Sequence, residues 1–159
     1  MGNKEGGILR RDQLDEQAVA RLGALLSSSL QPGDLITLSG TLGVGKSVMA
    51  RAILRGLKVL DDIPSPTFTL VQHYPHAMIP AHHADLYRLQ GGDDVLELGL
   101  EECLQEGILL VEWPERLGNI NAISRLDIRL ESAGDDMRHV VAMAQGSITQ
   151  RLGSWPDLG

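Results

Sequence analysis

The segment Gly40-Thr41-Leu42-Gly43-Val44-Gly45-Lys46-Ser47 is where residue types and spacing most plainly imply chemistry. It satisfies G-x-x-x-x-G-K-[ST], the pattern of a loop that cradles nucleotide phosphates. Glycines let the backbone bend so that successive N–H groups point inward at phosphate oxygens, where a Cβ would intrude. A helix starting just after the loop aims its positive end at the same place. Lys46 is expected to reach the β- and γ-phosphates, and the Ser47 hydroxyl to become a magnesium ligand. In a chain with 18 glycines a chance match has to be weighed. The apolar run before the loop and the helical pattern after it argue against chance. The loop reads phosphate and not purine. The Asn/Thr-Lys-x-Asp segment typical of guanine readers is missing from the sequence, so adenine is the better expectation.

Phosphoryl chemistry on such a loop needs charge neutralised on the β- and γ-oxygens and a positioned nucleophile. The usual companion is a carboxylate at the C-terminal end of a buried strand, the sheet edge that faces the phosphates. Two segments offer one. "GILLVEWPE" puts Glu112 directly after the apolar run Ile108 to Val111, and "AHHADLYRL" puts Asp85 after a weaker strand. Glu112 is the stronger candidate; both fit if one contacts the metal directly and the other through water. Either acid alone is also an ordinary way to close a strand. His82 and His83 have no cysteine or third histidine close in the chain, so they are expected to be packing or surface residues and not metal ligands. Ser65, between the two prolines of "DDIPSPTF", and Thr67, just after them, lie on a stiff loop where a hydroxyl can sense the γ-phosphate or orient a water. A plain connector is the competing reading of that loop.

These groups need elements to hold them. Residues 12–30 show helical spacing through Leu14, Ala18, Leu22, Leu25 and Leu26, with Asp12 as N-cap and Pro32-Gly33 as the stop. Leu35 to Leu38 and Ile108 to Val111 read as short buried strands, and Ser47 to Leu57 as the helix behind the loop. Two strands near Thr69–Tyr74 and Met78–Ala84 are expected to pair as a hairpin, and 93–106 to be helical in two pieces broken at Gly99. "RLDIRLE" (125–131) alternates strictly, which marks a half-exposed strand, and "SAGDD" turns it into "RHVVAMA" as an antiparallel hairpin. Strand–helix units followed by hairpins predict an α/β domain with a mixed parallel and antiparallel sheet flanked by helices.

At 159 residues and 43% hydrophobic the chain suffices for one domain with a core about 12–145. Aromatics are only 3%, so Leu, Ile, Val and Ala must fill the interior. The single cysteine, Cys103, leaves no internal disulfide and no multi-cysteine zinc site. No run is as long as a membrane span and the start carries no apolar signal segment, so a cytoplasmic protein without membrane contact is expected. The net charge of -7 argues against a protein that grips a nucleic-acid backbone unaided.

Taken together, "GTLGVGKS", "SPTFTLVQHY", "HHADLYRL" and "LLVEWPERLG", in this order and spacing, resemble the TsaE (YjeE) family, over about residues 15–145. "SPTF" followed by "DLYR" and "VEWPE" is far more specific than the glycine loop alone. The resemblance implies a P-loop ATPase fold, binding of ATP or ADP with Mg2+, and feeble hydrolysis by the lone protein. It also implies association with TsaD and TsaB proteins in making threonylcarbamoyladenosine on tRNA, with tRNA met only through that complex. Carried onto this chain, it puts phosphate on Thr41, Leu42, Gly43, Val44, Gly45 and Lys46, and magnesium on Ser47 and Glu112. Asp85 would assist at the metal or the attacking water, and Thr67 would lie in the switch-like loop. Trp113 would flank the nucleotide, and Glu16 and Arg138 would lie near the adenosine.

Two departures from the family pattern stand out. Thr41 replaces a frequent acid, and Ser47-Val48 replaces a common Thr-Thr. Serine serves magnesium equally well, whereas Val48 removes a hydroxyl from the α-phosphate side. A small-molecule P-loop kinase is the main competing function, but such kinases carry an arginine-bearing lid. The arginines here are scattered, with none clustered between residues 85 and 125. A nucleotide-gated binding module without useful turnover is the third reading, and it overlaps the first.

Overall fold

The computed structural model describes residues 7–41, 43–89, 95 and 97–152. Among them the chain runs β1 (Gly7–Leu14), α1 (Glu16–Ser27), β2 (Asp34–Ser39), α2 (Lys46–Gly56), β3 (Val71–Tyr74) and β4 (Ala81–Asp85). It continues α3 (Leu100–Glu106), β5 (Ile108–Glu112), a 3-10 turn (Pro114–Arg116), β6 (Ser124–Ser132), β7 (Arg138–Gly146) and α4 (Ile148–Leu152). The seven strands form one sheet in the order β1-β7-β6-β2-β5-β4-β3. The centre, β6-β2-β5-β4, is parallel, and the β1-β7-β6 and β4-β3 margins are antiparallel. The mixed sheet and both expected hairpins are therefore present.

Burial follows the pleat. β2, β4 and β5 are buried along nearly their whole length, as parallel strands covered on both faces must be. Ile36, Leu38, Ala81 and Leu110 pack with Leu22, Leu26, Met49 and Ile53 of α1 and α2. The alternate residues Leu35, Ala84, Leu109 and Val111 pack with Leu100, Cys103 and Leu104 of α3 on the other face. β6 buries Leu126, Ile128 and Leu130, as its alternation predicts.

The reading of residues 12–30 needs correction. Residues 12–30 are not one helix. Asp12 lies in β1, which pairs antiparallel with β7, and the N-cap of α1 is Asp15, whose Oδ1 accepts the Ala18 N–H at 2.8 Å. β1 escaped the pattern because its register shifts between Arg11 and Leu14 and its partner lies at the far end of the sequence. Leu25, counted among the helix's inward residues, is 38% exposed. The last helical piece before β5 starts at Leu100 with Gly99 at φ 66, so the break at Gly99 is real, while most of the preceding piece lies outside the described residues.

Helix α4 was not foreseen, and it is held by charge. Arg151 donates from Nη1 to Asp34 Oδ2 and from Nη2 to Asp34 Oδ1, both at 2.8 Å, and Asp34 is 1% exposed. A bidentate pair of this kind tethers the late helix to the first residue of the central strand β2. Removing one partner strands a buried carboxylate. Arg151→Ala is expected to cost roughly 2–4 kcal/mol, read as a lower urea midpoint at unchanged slope. A midpoint equal to wild type would show that the pair contributes nothing.

Candidate functional site

Six residues carry the chain from the end of β2 to the start of α2, and the glycines among them do different work. Gly40 has φ 136, and a Cβ there would run into the Leu130 carbonyl oxygen and sit 2.9 Å from Val44 Cγ1. Gly40 thus keeps the loop pressed against β6. Gly43 (φ 79) has open space where a Cβ would be, which is the face a ligand needs. Gly45 (φ 115) is the N-cap of α2 and supplies no side-chain cap. The first amides of that 11-residue helix are consequently left to an incoming anion. Leu42 lies outside the described residues.

Lys46 is 4% exposed. Its Nζ donates to Gly40 O at 2.6 Å and Thr41 O at 2.9 Å, and it lies 4.2 Å from the Trp113 ring centroid. Burial pushes its pKa below the usual lysine value, while Glu112, Glu115 and Asp85 pull it back up. The ammonium is therefore parked on the loop's own carbonyls and on an aromatic face, among acids. A phosphate would be a stronger partner for it than either carbonyl.

The two carboxylates come together through strand register. Asp85 ends β4, Glu112 ends β5, and they are direct partners across that parallel pair. Leu38, next to the end of β2, is the partner of Glu112 on the other side. Asp85 Oδ1 accepts the Tyr87 N–H at 3.0 Å, and Oδ2 accepts the Thr67 hydroxyl at 3.2 Å. Thr67 in turn shares a 2.8 Å hydrogen bond with Ser65, so the "SPTF" loop is tied to the acid. Trp113 holds a left-handed φ of 60 beside the site, an unusual backbone state for a bulky residue.

The expectation for His83 is overturned in part. It is buried, but it does more than pack, because its Nε2 lies 2.7 Å from Glu112 Oε2. Its position in the sequence carries the signal: His83 lies two residues before Asp85, so in a strand the two share a face. His82 points to the other face, where His73 Nδ1 lies 2.7 Å from its Nδ1 and Cys103 lies close by. The third histidine and the cysteine missing from the local sequence are thus supplied by the fold.

One cleft, of about 260 Å3, gathers most of the sequence candidates. Gly43, Gly45, Lys46 and Ser47 line it together with Thr67, Asp85, Glu112 and Trp113. Glu16, the first residue of α1, and Arg138, the first of β7, reach the same cleft from elsewhere in the chain. Arg138 Nε donates to Val44 O at 3.2 Å, which fixes the guanidinium beside the loop. Ser65 and Val48 also line the cleft. Thr41 and the backbone of Val44 belong instead to an adjacent hollow with Ser132 and Arg138, and the Val44 side chain is buried. A hydroxyl and two carboxylates are hard oxygen donors of the kind magnesium takes, and the amides and Lys46 suit its phosphate partners. The residues present fit a magnesium–nucleotide complex. Gly40→Ala is expected to weaken nucleotide binding at least roughly tenfold, by forcing the loop off β6. Unchanged affinity by calorimetry would remove that contact from the account.

Comparison with known proteins places the chain in a family. Residues 14–140 match the family model described as "Threonylcarbamoyl adenosine biosynthesis protein TsaE". The chain is 35% identical over 139 residues to the tRNA threonylcarbamoyladenosine biosynthesis protein TsaE of Bacillus subtilis, covering 87% of this chain and 85% of that protein. It is 37% identical over 134 residues to the Streptomyces coelicolor protein of the same name, covering 79% and 89%. A crystal structure of Bacillus subtilis YdiB superposes with a TM-score of 0.79 at 28% identity, covering 95% of each chain. The α/β architecture is that of the P-loop NTPases. The resemblance in the four sequence segments holds across the chain: it belongs to the TsaE family.

Proposed function

We propose that this chain binds ATP and ADP with magnesium, hydrolyses ATP slowly, and serves tRNA threonylcarbamoyladenosine formation together with TsaD and TsaB proteins in the cytoplasm. The observation that carries the reading is the pairing of Asp85 with Glu112 at the ends of adjacent parallel strands, in the cleft that also holds Lys46 and Ser47. In this reading Lys46 leaves the Gly40 and Thr41 carbonyls for the β- and γ-phosphates. The Ser47 hydroxyl and Glu112 hold the magnesium, which supplies charge neutralisation on the phosphate oxygens when bound. His83 fixes the rotamer of Glu112 through its 2.7 Å contact. Asp85 and Thr67 form the polar wall against which a water is oriented. Trp113, Glu16 and Arg138 border the nucleoside end.

Slow turnover by the lone protein follows from the same contacts. Both Asp85 oxygens and one Glu112 oxygen are already engaged by Tyr87, Thr67 and His83, so either acid has to exchange partners before it can act. The tRNA step belongs to partners, because a chain of net charge -7 has little to offer a phosphate backbone.

Calorimetry is expected to give a Kd for MgATP on the order of micromolar. Glu112→Ala should keep the fold by circular dichroism and lose at least roughly a hundredfold in turnover; full turnover would remove Glu112 from the mechanism. ATP hydrolysis should rise strongly when TsaD, TsaB and tRNA are added together. Rapid phosphorylation of a metabolite by the lone chain, or a tight and salt-sensitive complex with tRNA alone, would overturn the reading.

A further inference from the structure

On the face of the sheet away from the cleft, a second set of chemically capable side chains converges from three elements. His82 of β4 and His73 of the edge strand β3 are direct cross-strand partners. Their Nδ1 atoms are 2.7 Å apart, and their rings are set at 74° with centroids 4.9 Å apart. Cys103 approaches from α3, and one donor atom from each of the three lies within 4.8 Å of the others. His82 is 3% exposed, and its Nε2, 3.0 Å from Glu106 Oε1, is not aligned for a hydrogen bond. Glu106 sits one turn after Cys103 on the same side of α3.

We propose that His73, His82 and Cys103 form a binding site for a borderline-soft divalent cation of the zinc type, with Glu106 supporting His82 from outside. Two imidazoles and a thiolate select such an ion over magnesium or calcium, which prefer oxygen. A carboxylate on the second nitrogen of a ligating histidine is the usual outer support of such sites. The two Nδ1 atoms are hydrogen-bond partners of each other at 2.7 Å, and a shared ion would take the place of that bond. In a tetrahedral zinc site the nitrogens stand about 3.3 Å apart and nitrogen and sulfur about 3.5 Å apart. The two Nδ1 atoms must therefore part by roughly half an ångström and the set must contract around the ion. Exposed His73, on a four-residue edge strand with one neighbour, can supply that movement and the path of entry. Burial, with Glu106 and Glu102, holds the free Cys103 thiol up at about 11, so the ion has to displace its proton. Once bound, it would pin β3 to α3 and brace the strand that ends in Asp85.

The test uses the full chain and Zn2+ in calorimetry, with millimolar-range Mg2+ present to occupy the hard oxygen site, and Co2+ as a spectroscopic probe. The expected result is uptake of one equivalent of Zn2+ and a thiolate-to-cobalt charge-transfer band. At a hundredfold excess over Kd, Tm should rise by roughly 5–10 °C, reversed by chelator. Cys103→Ser should abolish the band, and His73→Ala should lower affinity at least roughly tenfold. Should Cys103→Ser fail to fold, the exposed His73→Ala variant decides. Failure to take up a stoichiometric equivalent overturns the site, as does uptake that His73→Ala leaves unchanged. Either outcome would reduce the cluster to a histidine–histidine hydrogen bond beside a buried thiol.

Discussion

The register of three parallel strands is the constraint on which the rest of the cleft depends. β2, β5 and β4 run side by side, and their ends align so that Glu112 stands next to Asp85 on one side and Leu38 on the other. The loop that leads to Lys46 and Ser47 leaves the sheet at that edge, and both carboxylates stand on it. A slip of one residue in β5 would turn Glu112 to the α3 face and present Val111 to the cleft. The burial of all five β5 residues between two apolar layers makes such a slip costly, so the packing of the core and the placing of the acid are one event.

The glycine loop adds a second constraint, through β6. Gly40 lies so close to the Leu130 carbonyl that any side chain would collide, and Val44 is buried beside it. The loop is thus seated by contact with a strand from the other half of the chain. Arg138, which opens the strand after β6, then bonds the Val44 carbonyl from the opposite direction. The hairpin β6–β7 serves the site without supplying a carboxylate or hydroxyl to it.

Charge in the cleft is nearly self-contained. Lys46, Asp85 and Glu112 are all buried, and each is engaged by neighbouring groups: loop carbonyls, Thr67 and Tyr87, and His83. In the proposed reading, these internal contacts hold each group close to where a nucleotide would need it.

Much of this was legible in the chain because local rules suffice for it. The loop pattern, the apolar runs of β2 and β5, the alternation of β6 and the hairpins all depend on residues close in sequence, where period and turn chemistry dominate. Asp85 and Glu112 were nameable for the same reason, as acids closing apolar strands. What remained hidden depends on contacts across the chain. β1 shows no clean alternation because its register shifts and its partner is β7; α4 is five residues held by Arg151 to Asp34. His83 became a neighbour of Glu112, and His82 of His73 and Cys103, only when β4 was placed between β3 and β5. Residue type and local spacing suffice to name the groups that could do chemistry and the short elements that carry them. The tertiary structure decided which of those groups meet, because strand order and register are set by packing both faces of one sheet at once.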